Sequence, residues 1–254
     1  MKTLRTLALI PCLTALLSLP ACHTSYEVVS IEGGKIPMTA AYDEQPDQQA
    51  TEILDFYKRQ VDDIMNEVIG HSAQKLESYQ PESPLSNLIA DIIKESAEQK
   101  TGMKVDMAVM NMGGIRNILN EGDITIGDIF QICPFENALA VLTMKGEVVC
   151  ELLEQIASLH GEGLSGARLV ISNEGKLLSA EVGGKPIDKS KDYVVATIDY
   201  LAEGNDRMEA FKKADEKTFP ENGILREVFI DYVKNLDNTG KAVSAKVEGR
   251  VSEK

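Results

Sequence analysis

The sequence predicts one α/β domain with a mixed β-sheet flanked by helices, and three observations carry that expectation. Apolar runs of strand length, such as 105–110 and 193–198, alternate with segments whose apolar residues recur at three- and four-residue steps, such as 50–69 and 145–159. Gly, Pro and Asn turn signals separate these segments. The chain has 254 residues, enough for one large domain, and carries no internal repeat or low-complexity tract.

The N-terminus reads as a targeting segment. Lys2 and Arg5 form its positive end, and residues 7–19 form an apolar stretch too short to span a bilayer. Leu19-Pro20-Ala21-Cys22 resembles a bacterial lipoprotein cleavage box, which implies a signal peptide over 1–21 and lipid on the Cys22 thiol. The resemblance implies an exported protein held on a bacterial membrane, on its periplasmic or cell-surface side; an ordinary secretory signal is the alternative. Residues 22–46 read as a polar tether with one edge strand at 26–31.

The domain is expected over 47–254. Its leading helix, 50–69, places Ile53, Leu54, Tyr57, Val61, Ile64, Met65 and Val68 on one face and stops at Gly70. The next helix has Ser83 as N-cap, Pro84 in its first turn and Gly102 beyond its end. Asn87 and Asp91 lie one turn apart on it, placed either to contact a ligand or, the favoured reading, to tie down neighbouring loops. A buried strand at 105–110 runs into Asn111-Met112-Gly113-Gly114-Ile115-Arg116, where the glycines allow close backbone approach. A short helix is expected at 125–132, a strand at 138–143 and a helix after Lys145-Gly146. A hairpin follows at 169–172 and 177–182, then a strand at 193–198, helices near 207–214 and 222–236, and a last strand near 244–250.

Charge limits the ligand. The chain carries net charge −14, and without Lys2 and Arg5 it keeps 24 basic against 40 acidic side chains, a net −16. Such a surface repels nucleic acid polymers, so any phosphate-bearing ligand must be small and held by local donors. Of four cysteines, Cys12 lies in the signal and Cys22 is the lipid site. Cys133 and Cys150 remain, in apolar contexts that favour free thiols over a disulfide.

The Asn-x-Gly-Gly-x-Arg stretch has company. Ser83-Pro84-Leu85-Ser86-Asn87-Leu88-Ile89-Ala90-Asp91 precedes it, and Cys133-Pro134-Phe135-Glu136-Asn137 follows. Leu164-Ser165-Gly166 and Asp199-Tyr200-Leu201-Ala202-Glu203-Gly204-Asn205-Asp206 lie beyond. In this order the set resembles the C-terminal, nucleotide-specificity domain of the 5′-nucleotidase family, which includes UDP-sugar hydrolases and ecto-5′-nucleotidases. The resemblance spans about residues 47–250.

That resemblance implies a site for a nucleoside or nucleoside monophosphate. Phe135 and Tyr200 match the rings that sandwich the base, an interaction that tolerates any base. Asp206 matches the ribose-binding carboxylate, which can accept from both hydroxyls. Asn111 and Asn137 match positions at the base and sugar edge, Gly166 a backbone contact beside the base, and Arg116 a phosphate-facing guanidinium. Taken singly, Phe135 and Tyr200 also read as core aromatics, Asp206 as turn chemistry and Asn137 as a capping amide.

Three departures from the family pattern stand out. Gly204-Asn205-Asp206-Arg207 replaces Gly-Gly-Asp-Gly, so Asn205 is expected to adopt a backbone angle that glycine held. Met112 replaces the first of three glycines. Pro81 stands where many relatives carry a phosphate-facing Arg. The family hydrolyses phosphate esters with two divalent metals on a separate metallophosphoesterase domain. The three histidines, His23, His71 and His160, lie in none of that centre's contexts, so no catalytic residue, metal ligand or cofactor is expected in this chain. The resemblance therefore implies the recognition half of a split 5′-nucleotidase, with divalent metals on a separately encoded metallophosphoesterase. The alternatives are a non-catalytic exported nucleoside-binding lipoprotein and a degenerate structural domain.

Overall fold

The structure, a computed structural model, describes residues 27–44 and 46–254. The signal peptide, Cys22 and Tyr26 lie outside the described residues. By its internal contacts the chain forms two units, 1–51 and 52–254. In the first, residues 27–44 are exposed, with a single 3-10 turn at Ala40–Tyr42. The edge strand expected at 26–31 does not form at 27–31; nothing pairs with it there.

Helix α1 runs Gln48–Met65 and buries no residue. It ends earlier than its periodicity suggests. Val68 opens a strand, β1 (Val68–Ser72), that pairs antiparallel with β3 (Gly122–Thr125). Gly70 belongs to that strand, where an added Cβ would sit 2.6 Å from Val233; it permits close packing and does not end the helix.

Helix α2 (Pro84–Thr101) forms as read. Ser83 accepts from the Ser86 N–H, and Gly102 closes the last turn with φ 69°. Leu85, Leu88, Ile89, Ile92 and Ile93 are buried against the sheets. Asn87 and Asp91 do tie down a distant segment. The Asn87 amide donates to Glu82 (2.6 Å) and to the Lys246 carbonyl (3.0 Å). Arg250 forks onto both Asp91 oxygens at 2.8 Å and reaches the Leu164 carbonyl. Buried Glu82 also accepts the backbone N–H groups of Glu248 and Arg250, each at 2.7 Å. The C-terminal segment is thereby clasped to the start of α2. Its strand, β11, is Val251–Glu253 and not 244–250, because the backbone of 248–250 is turned onto Glu82.

Five strands make the central sheet, in the order β10-β4-β9-β2-β5. They are β2 (Met107–Met110), β4 (Leu139–Lys145), β5 (Gly163–Ser165), β9 (Asp192–Ile198) and β10 (Glu216–Thr218). Strands β2 and β9 run parallel; β4 and β5 run antiparallel to these neighbours. A four-stranded sheet, β11-β6-β7-β8, contains the expected hairpin, β6 (Ala167–Ile171) and β7 (Leu177–Val182). Its far edge is β8, Lys185–Pro186. The five- and four-stranded sheets are mixed, in keeping with the predicted class, and the β1–β3 pair is antiparallel.

The remaining helices are α3 (Ile126–Ile132), α4 (Gly146–Ser158), the single turn α5 (Asp199–Ala202) and α6 (Leu225–Asn238). Thr125 and Asp128 form a reciprocal capping box that starts α3. The helix expected at 207–214 is a 3-10 segment, Glu209–Lys213. Cys133 and Cys150 are free thiols, and burial pushes the Cys133 thiol up to about 12.

Candidate functional site

Strand directions bring the candidate residues together. Asn111 follows the C-terminal end of β2, and Tyr200 follows that of its parallel neighbour β9. Asn137 precedes the N-terminal end of antiparallel β4. All three therefore leave the sheet at one end. A cleft of about 500 Å³ opens there, lined by Asn111, Gly113, Gly114, Arg116, Phe135, Asn137, Ile198, Tyr200 and Asp206. That volume lies within the roughly 300–1,000 Å³ of small-molecule sites.

Six of the seven candidate binding residues line this cleft; Gly166 does not. Strand β5 runs antiparallel to β2, with Gly163 beside Met110 and Ser165 beside Ala108, so Gly166 falls at the far end of the sheet. There it adopts φ +74°, and a Cβ would run into the Asp106 carbonyl. It serves a tight turn between β5 and β6, and lines a separate hollow with Arg168 and Arg250.

Each wall of the cleft is fixed by identifiable bonds. Phe135 and Tyr200 are 51% and 41% exposed, so neither is a core ring. Asp199 couples their loops: one of its oxygens accepts both the Asn137 amide (3.0 Å) and the Tyr200 N–H (2.7 Å). Next to Phe135 in sequence, the Pro134 carbonyl accepts from buried Arg226 (3.3 Å), which lies 4.0 Å from the centre of the Phe130 ring. Arg116 is exposed at the mouth, with one guanidinium nitrogen donating to the Gly113 carbonyl.

Asp206 is the hub. Its Oδ2 accepts from the Asn111 amide at 2.6 Å and its Oδ1 from the Tyr200 hydroxyl at 2.8 Å. The carboxylate pushes the Tyr200 phenol up, holding it as a donor. Each carboxylate oxygen has a second lone pair for a ligand hydroxyl. Asn111 is buried, and its Oδ1 has no partner, a site demand that a donor would satisfy. Gly114 is required beside it: a Cβ there would lie 2.9 Å from Asn111 Oδ1 and 2.8 Å from Met110. Gly113 is less constrained, with 3.9 Å to the nearest side-chain atoms.

The 203–207 turn corrects one expectation. Asn205 does not take a left-handed backbone; Asp206 (φ 51°) and Arg207 (φ 63°) do, after Gly204 (φ 77°). Asn205 instead pins the turn by donating to the Tyr200 carbonyl at 2.8 Å.

Two site residues escape sequence reading, Arg226 and Glu162. Glu162 is 7% exposed and accepts the Met112 N–H. Burial, opposed by that bond and reinforced by the Asp206 charge, raises its carboxyl to about 7. Among the described residues, no three His, Cys, Asp or Glu side chains gather as a metal-ligand cluster. His71 meets only Asp123 (3.2 Å), and His160 meets Glu253 (3.0 Å). These donor sets do not fit a dinuclear centre; His23 lies outside the described residues.

A mixed-sheet α/β domain bearing an aromatic-walled, carboxylate-centred cleft at its strand ends defines a class of domain. The chain belongs to the family of the 5′-nucleotidase C-terminal domain, whose model matches residues 68–213. It is 29% identical over 239 residues to the trifunctional nucleotide phosphoesterase protein YfkN of Bacillus subtilis, covering 86% of this chain and 16% of that protein. It is 31% identical over 238 residues to the endonuclease YhcR of the same organism, covering 89% and 18%. Among solved structures it resembles the 5′-nucleotidase precursor of Thermus thermophilus, with TM-score 0.70 and 29% identity, over 81% of this chain and 43% of that one. The NAD nucleotidase of Haemophilus influenzae matches with TM-score 0.60 and 25% identity, over 82% and 41%. The chain thus spans less than a fifth of the two B. subtilis relatives and under half of these solved chains.

Proposed function

We propose that this chain is the nucleoside- or nucleotide-recognition component of a split 5′-nucleotidase. The observation that carries the reading is the convergence of two exposed rings, two amides, a carboxylate and a guanidinium on one cleft from separate loops. A nucleoside presents an aromatic face, a polar edge and a cis-diol, and needs those groups together. Phe135 and Tyr200 take the base, Asp206 the diol, Asn111 and Asn137 the polar edge, and Arg116 a 5′-phosphate where one is present.

Hydrolysis belongs, on this reading, to a separate metallophosphoesterase that supplies two divalent metals. This chain's part is to bind and orient the nucleoside so that the phosphate faces that partner. Cys22 would carry the lipid that holds the chain on the periplasmic or cell-surface side of a bacterial membrane. The names of the relatives support nucleotide chemistry for those proteins, and the family membership supports the recognition role.

Calorimetry of the full chain with adenosine, 2′,3′-dideoxyadenosine and AMP tests the reading. Phe135→Ala should weaken all three by about 1–3 kcal/mol, the worth of one stacking ring. Asp206 also holds Tyr200 and Asn111, so Asp206→Asn, which keeps the shape, is the informative change. It should weaken adenosine by roughly 1.5–3 kcal/mol and spare the dideoxy analogue. Equal weakening of both nucleosides would remove the diol role from Asp206, and no adenosine binding at all would remove the recognition function.

A further inference from the structure

The turn that presents Asn111, Gly113, Gly114 and Arg116 to the cleft is held from below by a residue that does not line it. Met112, between Asn111 and the glycines, donates its N–H to Glu162. Glu162 immediately precedes β5, whose Gly163 pairs with Met110 at the end of β2. Gly163 is closed in by the Ser86 and Met110 carbonyls, at 2.9 and 3.0 Å from where a Cβ would lie, so no side chain fits at this corner and β5 packs directly on the end of β2 and the start of α2. The turn is thus held twice by acids: Asp206 takes the Asn111 side chain and Glu162 the next residue's backbone.

We propose that Glu162 is a positioning residue of the cleft: its buried carboxylate, by accepting the Met112 N–H, fixes the Asn111–Arg116 turn and so sets the affinity of the cleft for its ligand. The inference rests on the nucleoside reading for its ligand but not for its mechanism. An ionised carboxylate accepts an N–H more strongly than a neutral carboxyl does. The turn is therefore held best above the Glu162 titration and less well once the carboxyl is protonated.

The titratable groups around it leave this role to Glu162. Asp206 is the charge it feels, and it raises the Glu162 carboxyl. Strand β2 is Met107-Ala108-Val109-Met110 and offers none. On the α2 side, Glu82 is engaged by Asn87 and the backbone of Glu248 and Arg250. On its own segment, His160 is drawn to Glu253. Arg116 turns its guanidinium to the Gly113 carbonyl and is exposed.

The sign follows from a carboxyl raised to about 7. Below that pH the folded protein holds a proton that the unfolded chain releases down to the ordinary Glu range near 4.3. Fold stability therefore gains on acidification through this window, while the grip on Met112 weakens. Ionisation above pH 7 costs stability and orders the turn.

The experiment follows the Met112 amide by NMR and adenosine affinity by calorimetry, on the full chain between pH 5.5 and 8.5. Wild type, Glu162→Gln and Glu162→Ala are compared. In the wild type the Met112 amide signal should shift with a midpoint near 7, as expected for the Glu162 carboxyl. In Glu162→Gln that shift should vanish. Adenosine should bind about fivefold more tightly at pH 8.5 than at pH 5.5 in the wild type, from the difference between charged and neutral acceptors. Glu162→Gln should sit at the low-pH affinity throughout, and Glu162→Ala should bind more weakly still. Should either variant bind poorly, its thermal midpoint separates misfolding from a loosened turn: Glu162→Gln should melt above wild type at pH 8.5, and that advantage should shrink at pH 5.5, inside the window between the unfolded and folded titrations. A Met112 amide that does not titrate, or that titrates unchanged in Glu162→Gln, overturns the proposal. If Met112 titrates as expected while adenosine does not bind, the positioning contact stands and the nucleoside reading falls.

Discussion

Single residues show where the chain departs from its family's pattern and what the departure costs. Arg207 is an exposed side chain at φ 63°, where the family pattern has glycine. A left-handed backbone costs a non-glycine residue roughly 1–2 kcal/mol. Arg207→Gly should therefore raise stability, by up to about 1 kcal/mol once the added freedom of glycine in the unfolded chain is counted. Urea denaturation measures it, and an unchanged or lowered midpoint would show that Arg207 makes a compensating contact. Six of the candidate binding residues were legible because they sit in ordered motifs. Phe135, Tyr200, Asp206, Asn111, Asn137 and Arg116 all arrive at the cleft. Gly166 does not, because a glycine in a motif reports a turn without reporting which end of the sheet carries it. Glu162 and Arg226 were not legible: their partners Met112 and Pro134 lie 50 and 92 residues away, and nothing local distinguishes them from surface charges.

At the scale of elements, two helices of equal length have opposite standing. Helix α2 buries Leu85, Ile89, Ile92 and Ile93 completely or nearly so. Helix α1 has an even more strongly periodic sequence, yet Leu54 and Tyr57 are 67% and 62% exposed. Periodicity reports that a face is apolar and not what it meets. The difference sets two expectations for equilibrium unfolding. Ile89→Ala should cost about 2–5 kcal/mol, the range for a large-to-small change in a packed core. Leu54→Ala in α1 should stay within about 0.5 kcal/mol, as surface substitutions do. A large loss from Leu54→Ala would mean that α1 packs in solution. The helix signals at Ser83, Pro84 and Gly102 were decisive because capping is local chemistry. Strands β5, β10 and β11, of three residues each, gave no readable alternation, and their positions depend on partners remote in sequence.

The whole molecule carries its net charge of −14 to any ligand that approaches. Adenosine is neutral and AMP is an anion, so only AMP must cross that field. Raising ionic strength from about 10 mM to 150 mM shortens the Debye length from about 30 to 8 Å. The AMP association rate should then rise while the adenosine rate stays level, as stopped-flow fluorescence would show. A fall for AMP would mean that Arg116, and not the overall charge, governs the approach. The fold class was legible at this scale because mixed strand and helix patterns leave few layer arrangements open. The β6–β7 hairpin was legible as a local pairing, whereas the β1–β3 pair and the addition of β11 to β6 were not, since those strands meet across long stretches of sequence. One last consequence concerns the outer strands. The five-stranded sheet ends on β10, Glu216-Lys217-Thr218, and the four-stranded sheet ends on β8, Lys185-Pro186. Both are short and carry a lysine, and proline has no N–H to offer a neighbouring strand. Neither can template the addition of a foreign strand, so copies crowded together would resist growth into ordered aggregates along those two borders.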